Sequence, residues 1–300
     1  MTAHPREGQT LAGESLLVRY FNFVKLPHTL FALPFALLGV LAASISTPVT
    51  ARAVVLVVVA FSAARWVAMG FNRIADRRID ARNPRTQNRE LPRGALSLPQ
   101  AWLSVLVAAA LFVAAAGLLN PLCLILSPVA LGWILAYSLA KRFTWWPHLW
   151  LGMSLAIAPV GGYLAVTGRW SDPAWLLLSV TAAVATWVAG FDIFYALPDE
   201  GFDRAEGLRS AVVRLGKARA ITLAKLLHWV TIPALVLFGH GAGFGAWYYF
   251  GLAVAAGILV YEHRLVKPGN LSRLDAAFFT MNGVMSVTVF AFALADRLLR

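Results

Sequence analysis

The hydrophobic pattern of the chain is a series of long, nearly unbroken apolar runs separated by short charged, Gly- or Pro-bearing stretches. Runs of this length match the thickness of a bilayer when helical, and they lack the strict alternation of a membrane-spanning barrel strand. The pattern predicts an all-α, polytopic membrane protein with nine transmembrane helices, over 28–46, 53–71, 100–118, 121–140, 148–167, 174–197, 221–239, 242–261 and 276–296. Ser97 followed by Gln100, with Pro99 between them, predicts a capping box and a first-turn proline at the start of the third helix. Trp145, Trp146, Trp170, Trp175 and Trp247 fall near predicted ends, as an interfacial aromatic belt requires.

Composition agrees. Of 300 residues, 59% are hydrophobic and only 13% charged, against roughly a quarter charged in soluble domains. Mean hydropathy is +0.69. The net charge of +12 would suggest nucleic acid in a soluble protein. Here the basic residues gather in the N-terminal segment and in the connections after the second, fourth, sixth and eighth predicted helices, so the excess is read as topological and no nucleic-acid partner is expected. That bias puts the N-terminus on the cytoplasmic side, with 1–20 as a cytoplasmic tail and 72–99 and 198–220 as long cytoplasmic loops. No cleaved signal peptide is expected. Cys123 is the only cysteine, so neither a disulfide framework nor a thiolate metal site is expected.

The charge that remains has a pattern of its own. Asn72, Asp76 and Asp80 follow the second apolar run at four-residue spacing. On a helix each step of four drifts by about 40°, so the three oxygens share a face. Around them lie Arg77, Arg82, Arg85 and Arg89. A second acidic group, Asp192, Asp199 and Asp203, closes the sixth apolar run, with Tyr195 on the same face and Pro198 between them. Carboxylates are hard ligands for Mg²⁺, and the arginine fork matches phosphate oxygens, so acids and arginines interleaved at one membrane surface predict a metal–diphosphate site in two halves. Asn72, Asp76, Asp80, Asp199 and Asp203 are the candidate metal ligands.

Two deeper charges belong with that face. Asp192 lies inside its apolar run, where an acid is costly and marks function. Arg65 is seven residues before Asn72, about 10 Å deeper on the same side. Lys25 and His28 flank Pro27 at the first helix; they suit an acidic aromatic substrate or interfacial anchoring equally. Lys225 and His228 are read as snorkelling or packed, and His148 and His240 as connection residues for which the sequence suggests no partner. The residues by themselves leave two other classes open, a transferase of the CDP-alcohol type and a secondary transporter of organic anions.

Asn72-x3-Asp76-x3-Asp80, with the following Asn83-Pro-Arg-Thr-x-Asn88-Arg89, resembles the first signature of the UbiA-type intramembrane aromatic prenyltransferases. Gly190-Phe-Asp192-Ile-x-Tyr195-Ala-x2-Asp199-x3-Asp203 resembles the second, and Lys25-Leu-Pro-His28-Thr the first helix of the family. The resemblance covers nearly the whole chain as one prenyltransferase domain, 1–300, nearest to the branch acting on 4-hydroxybenzoate. It implies nine helices in a ring in the inner membrane, a cytoplasm-facing site, Mg²⁺ held by both motifs, and transfer of a polyprenyl group from polyprenyl diphosphate to an aromatic hydroxy-acid in quinone biosynthesis. Asp76, Asp80, Asp192, Asp199, Asp203 and Tyr195 would be catalytic; Lys25, His28, Arg65, Asn72, Arg77, Arg82, Arg85 and Arg89 would bind substrates. Arg73 departs from the Asp that many relatives carry after the motif's Asn. It points to a sub-branch whose acceptor is 1,4-dihydroxy-6-naphthoate in menaquinone synthesis. Trp187, Phe191 and Phe194 are placed to shield an allylic cation.

Overall fold

The apolar runs fold as helices throughout a computed structural model that describes residues 11–13, 15–25, 29–267, 269–274 and 276–299. In chain order the helices are α1 (Leu16–Phe23), α2 (Thr29–Ala43), α3 (Ala51–Asp80), α4 (Leu98–Leu119), α5 (Pro121–Tyr137), α6 (Pro147–Thr167), α7 (Trp175–Ala196), α8 (Glu200–Ala205), α9 (Ala211–Gly241), α10 (Ala246–Leu265) and α11 (Asn282–Leu298). Tight 3₁₀ turns form at Ala140–Arg142 and Leu197–Asp199, and a wide π turn at Ala276–Met281 leads into α11. Among the described residues there is no strand, only an isolated bridge between Lys267 and Asn270. Five helical segments are long and apolar enough to cross a membrane: Ala51–Asp80, Leu98–Leu119, Pro147–Thr167, Trp175–Ala205 and Ala211–Gly241.

The starts are set by side chains that satisfy the free N–H groups of a first turn. Ser97 and Gln100 form the predicted capping box on α4. Thr50 caps α3, Asn120 caps α5 ahead of Pro121, and Ser210 caps α9.

Three predicted boundaries are corrected. α3 runs unbroken to Asp80 rather than ending at residue 71. α9 begins at Ala211, well before 221, and breaks at Gly216, whose φ of 75° and ψ of 162° suit glycine. Part of the expected N-terminal tail is helical: α1 is capped by Ser15 and tied down by Arg19, which donates to the carbonyl of Ala95. In α3 and α9 polar residues extend a helix past its apolar stretch, which hydropathy does not register; α1 is a separate helix, too short to read as a span.

α7 lies at the centre of the packing, between α6 and α9, and is the most buried of the long segments. α3 packs on α4, α2 on α6, α10 on α11, and α11 returns to α2, which closes the bundle. Trp187, Leu177, Phe238 and Tyr248 are fully buried in the main core. Apolar side chains gain little by leaving lipid, so close backbone approach carries much of the packing. At Gly152 on α6 an added Cβ would stand 2.2 Å from the carbonyl oxygen of Ala185 on α7, and at Gly39 on α2 one would stand 1.9 Å from that of Pro159 on α6.

Candidate active site

The last turns of α3 present Asn72, Asp76 and Asp80 on one face, because helical phase keeps residues four apart in register. On the facing side, the end of α7 carries Asp192 and Tyr195. Pro198 then turns the chain, which brings Asp199 and, from α8, Asp203 to the same place. All of these residues line one cavity of about 230 Å³, together with Lys25, Arg65, Arg85 and Arg89.

The connection after α3 folds back over this cavity and joins the motifs. Arg85 donates through Nε to Asp199 Oδ1 at 2.9 Å and through Nη2 to Oδ2, and its guanidinium lies 4.5 Å over the Tyr195 ring. Asn83 also donates to Asp199 Oδ1, at 3.2 Å. Arg89 pairs with Asp80 Oδ1 at 2.7 Å. The turn between α5 and α6 adds two cations that the sequence pattern missed: Arg142 pairs with Asp76 Oδ1 at 3.0 Å and Lys141 with Asp203 Oδ2 at 3.1 Å. Burial would lower the Lys141 ammonium, but the carboxylates of Asp203, Asp199 and Asp192 outweigh it and raise it above the ordinary lysine value, so it stays charged. Basic residues next to the first acidic motif were legible; a pair of cations some sixty residues on, in a stretch that reads as topological charge, was not.

Some expected residues fall elsewhere. Arg77 and Arg82 do not line the cavity: Arg77 turns back to the carbonyl of Ile74, and Arg82 pairs with Glu206 at 2.5 Å near the surface. Arg77 sits off the helical face that carries Asp76 and Asp80, and Arg82 lies past the end of α3, in the turn that follows it. His28 lies outside the described residues. Arg73 is buried and donates to Phe23 O at 3.4 Å. Phe194 packs against His228 and His263, away from the cavity, whereas Trp187, Phe191 and Phe278 line it. Tyr195 stacks on Phe278, with ring centres 4.5 Å apart. His148, read as a connection residue without a partner, is buried near the start of α6 and meets Asp192 Oδ2 through Nδ1 at 2.7 Å. The two are 44 residues apart in sequence and are joined only by the packing of α6 on α7.

Arg65 is half-buried, and its Nε, which is buried, has no hydrogen-bond partner. With Tyr137, Leu151 and Leu155 it separates the polar cavity from a second, apolar one of about 450 Å³ between α3, α4, α5 and α6. Among the described residues no three His, Cys, Asp or Glu side chains are arranged to hold a metal ion; cationic side chains stand between the acids. The donor set still fits a hard cation. It is all oxygen, and Asp80 Oδ2 is buried without a hydrogen-bond partner, a deficit that a metal ion relieves.

An all-helical apolar fold, a charge-lined cavity at the helix ends and an apolar cavity behind it define a membrane protein built for an amphiphile with an anionic head. The UbiA prenyltransferase family matches residues 32–284, and the chain belongs to that family. It is accordingly a prenyltransferase. The 4-hydroxybenzoate octaprenyltransferase of Nitrosospira multiformis is 33% identical over 232 residues, 76% of this chain and 77% of that protein. The enzyme of the same name from Nitrosomonas europaea is 33% identical over 239 residues, 79% of each. A UbiA homologue from Aeropyrum pernix superimposes with a TM-score of 0.82 at 34% identity, covering 90% of this chain and 98% of that one. A UbiA homologue from Archaeoglobus fulgidus bound to GPP and Mg²⁺, 18% identical with a TM-score of 0.68, shares the fold.

Proposed function

We propose that the protein transfers a polyprenyl group from polyprenyl diphosphate to the ring of 4-hydroxybenzoate, as one domain over 1–300 in the inner membrane. In this reading all nine helices of fifteen residues or more among those described span the bilayer, with the N-terminus and the site on the cytoplasmic side. The observation that carries it is the adjacency of the two cavities at Arg65: a charge-lined chamber for a diphosphate and a small acid shares a wall with an apolar chamber suited to a prenyl tail. The names of the curated relatives support the acceptor. Membership of a transferase family removes the transporter alternative.

The residues divide the work by charge. Arg85, Arg89, Lys141 and Arg142 are spread over the carboxylates. Diphosphate gathers several anionic oxygens in one small group, and the two-pronged arginine donors hold the leaving group as charge grows on it. Asn72, Asp76, Asp80, Asp199 and Asp203 would hold Mg²⁺, which neutralises the diphosphate and makes it a better leaving group. Arg65 and Lys25 take the acceptor's carboxylate. Trp187, Phe191 and Phe278 turn aromatic surface to the allylic cation and keep water from it. Trp187 cannot swing away, because its indole N–H is held by Asn282 Oδ1 at 2.7 Å. Asp192 and Tyr195 face the acceptor ring.

The test is turnover in detergent with octaprenyl diphosphate, Mg²⁺ and 4-hydroxybenzoate, for the wild type and for Asp76→Ala. Prenylated product from the wild type, its loss with EDTA, and no product from a folded Asp76→Ala protein are expected. Product only from 1,4-dihydroxy-6-naphthoate would overturn the acceptor; an active Asp76→Ala enzyme would overturn the site.

A further inference from the structure

We propose that His148 is a positioning residue that holds Asp192 as the acceptor of the ring proton in the alkylation step. The proposal rests on the prenyl-transfer reading above. It begins with a difference among the five acids lining the polar cavity. Four carry an arginine or lysine: Asp76 has Arg142, Asp80 has Arg89, Asp199 has Arg85 and Asp203 has Lys141. Of these five, Asp192 alone is met by a histidine among the described residues. Lys141 is close enough to feel the charge of Asp192 but gives its hydrogen bond to Asp203.

The geometry of the pair is one-sided. The His148 side chain is 2% exposed and that of Asp192 20%, so the histidine stands behind the acid and the acid faces the cavity. A carboxylate accepts, so Nδ1 must carry the proton and donate it to Oδ2. Nε2 is buried and has no hydrogen-bond partner. It does not face the substrates, so His148 acts only through Asp192. One Asp192 oxygen is thereby fixed, and the other, Oδ1, is left toward the acceptor. An acid inside an apolar segment needs some such donor to stay in place. A guanidinium would satisfy that need too, but it would compete with any proton brought to the carboxylate. A single N–H orients the group and leaves it able to accept.

The step balances as follows. The bond between prenyl C1 and the diphosphate oxygen breaks, and its electrons leave with the diphosphate. The ring carbon beside the hydroxyl bonds to C1. The proton on that carbon passes to Asp192 Oδ1, and the C–H electrons restore the aromatic ring. Proton transfer to a group displaced by about 1 Å loses on the order of 10²-fold in rate.

The experiment compares the wild type with His148→Ala, His148→Asn and Asp192→Asn, using 4-hydroxybenzoate with either hydrogen or deuterium beside the hydroxyl. In the wild type, loss of the ring proton is expected to be fast, so that deuterium has little effect. His148→Ala is expected to lower kcat on the order of 10²-fold, to leave KM for octaprenyl diphosphate unchanged, and to slow further with the deuterated ring. Asp192→Asn should show the same isotope sensitivity. His148→Asn, whose amide N–H stands near the place of Nδ1–H, should recover most of the rate. A merely structural histidine would instead give equal losses in Ala and Asn, a lowered melting temperature and no isotope effect, and that result overturns the proposal. So does wild-type kcat in His148→Ala. If the wild type prenylates no acceptor, the proposed function itself fails; an active wild type beside a normal His148→Ala removes only this role.

Discussion

Gly152→Ala is a one-carbon change that tests how the two halves of the site are held together. The new Cβ would stand 2.2 Å from the carbonyl oxygen of Ala185 and 2.9 Å from its carbonyl carbon. Carbon needs about 3.5 Å at such a contact, so α6 and α7 must separate locally by roughly 1 Å. The obstacle is backbone on α7, which has no rotamer to yield. On its other side α6 is stopped by α2, where Gly39 meets the carbonyl of Pro159. His148 lies one turn from Gly152, and its bond to Asp192 is 2.7 Å; an added 1 Å passes the ~3.2 Å limit of an N–H···O bond. Overpacking of this kind costs about 1–3 kcal/mol, and the loss of alignment costs on the order of 10² in kcat. The assay is thermal unfolding in detergent beside turnover with octaprenyl diphosphate and 4-hydroxybenzoate. Gly132→Ala on α5 is the control: nothing lies within 4 Å of its Cβ, so both measurements should match the wild type. If Gly152→Ala shows wild-type melting and wild-type kcat, the close approach does not set the α6–α7 geometry and the reasoning is wrong.

Two further substitutions probe the cavities. Arg85→Ala leaves Asp199 buried without the guanidinium that grips both its oxygens; breaking a buried pair from one side costs about 3–5 kcal/mol, to be read as a lowered melting temperature. Arg85→Lys keeps the charge and loses the fork, so it should melt nearer the wild type yet bind inorganic diphosphate more weakly by calorimetry. Ala64→Phe puts a ring into the apolar cavity. At ~0.8 kcal/mol per methylene and five carbons per isoprene unit, kcat/KM for octaprenyl diphosphate should fall by roughly 10³ for each isoprene unit displaced, with geranyl diphosphate little affected; equal losses for both would contradict the role of that cavity.

How much of this was legible depends on how far apart the interacting residues are in sequence. Asn72, Asp76 and Asp80 could be grouped because four-residue spacing is itself a statement about helix geometry. The apolar runs likewise determine an all-helical membrane fold, since a buried or lipid-facing backbone must satisfy its own hydrogen bonds. The capping box at Ser97 and Gln100 is equally local. Helix ends were less legible: α3 and α9 carry polar turns beyond their apolar stretches, so hydropathy stopped them short.

Pairing across the molecule was decided by tertiary packing alone. The sequence placed Arg77, Arg82, Arg85 and Arg89 together as diphosphate ligands. The fold keeps Arg85 and Arg89, sends Arg77 and Arg82 outward by helical phase and a turn, and supplies Lys141 and Arg142 from a connection with no motif. His148 carried no signal at all, because its meaning comes from α6 approaching α7 backbone to backbone at Gly152, which brings a histidine and an aspartate 44 residues apart to 2.7 Å. Spacing along one helix is written in the chain. Distance between helices depends on which small residues let two backbones touch, and that exists only once the bundle has closed.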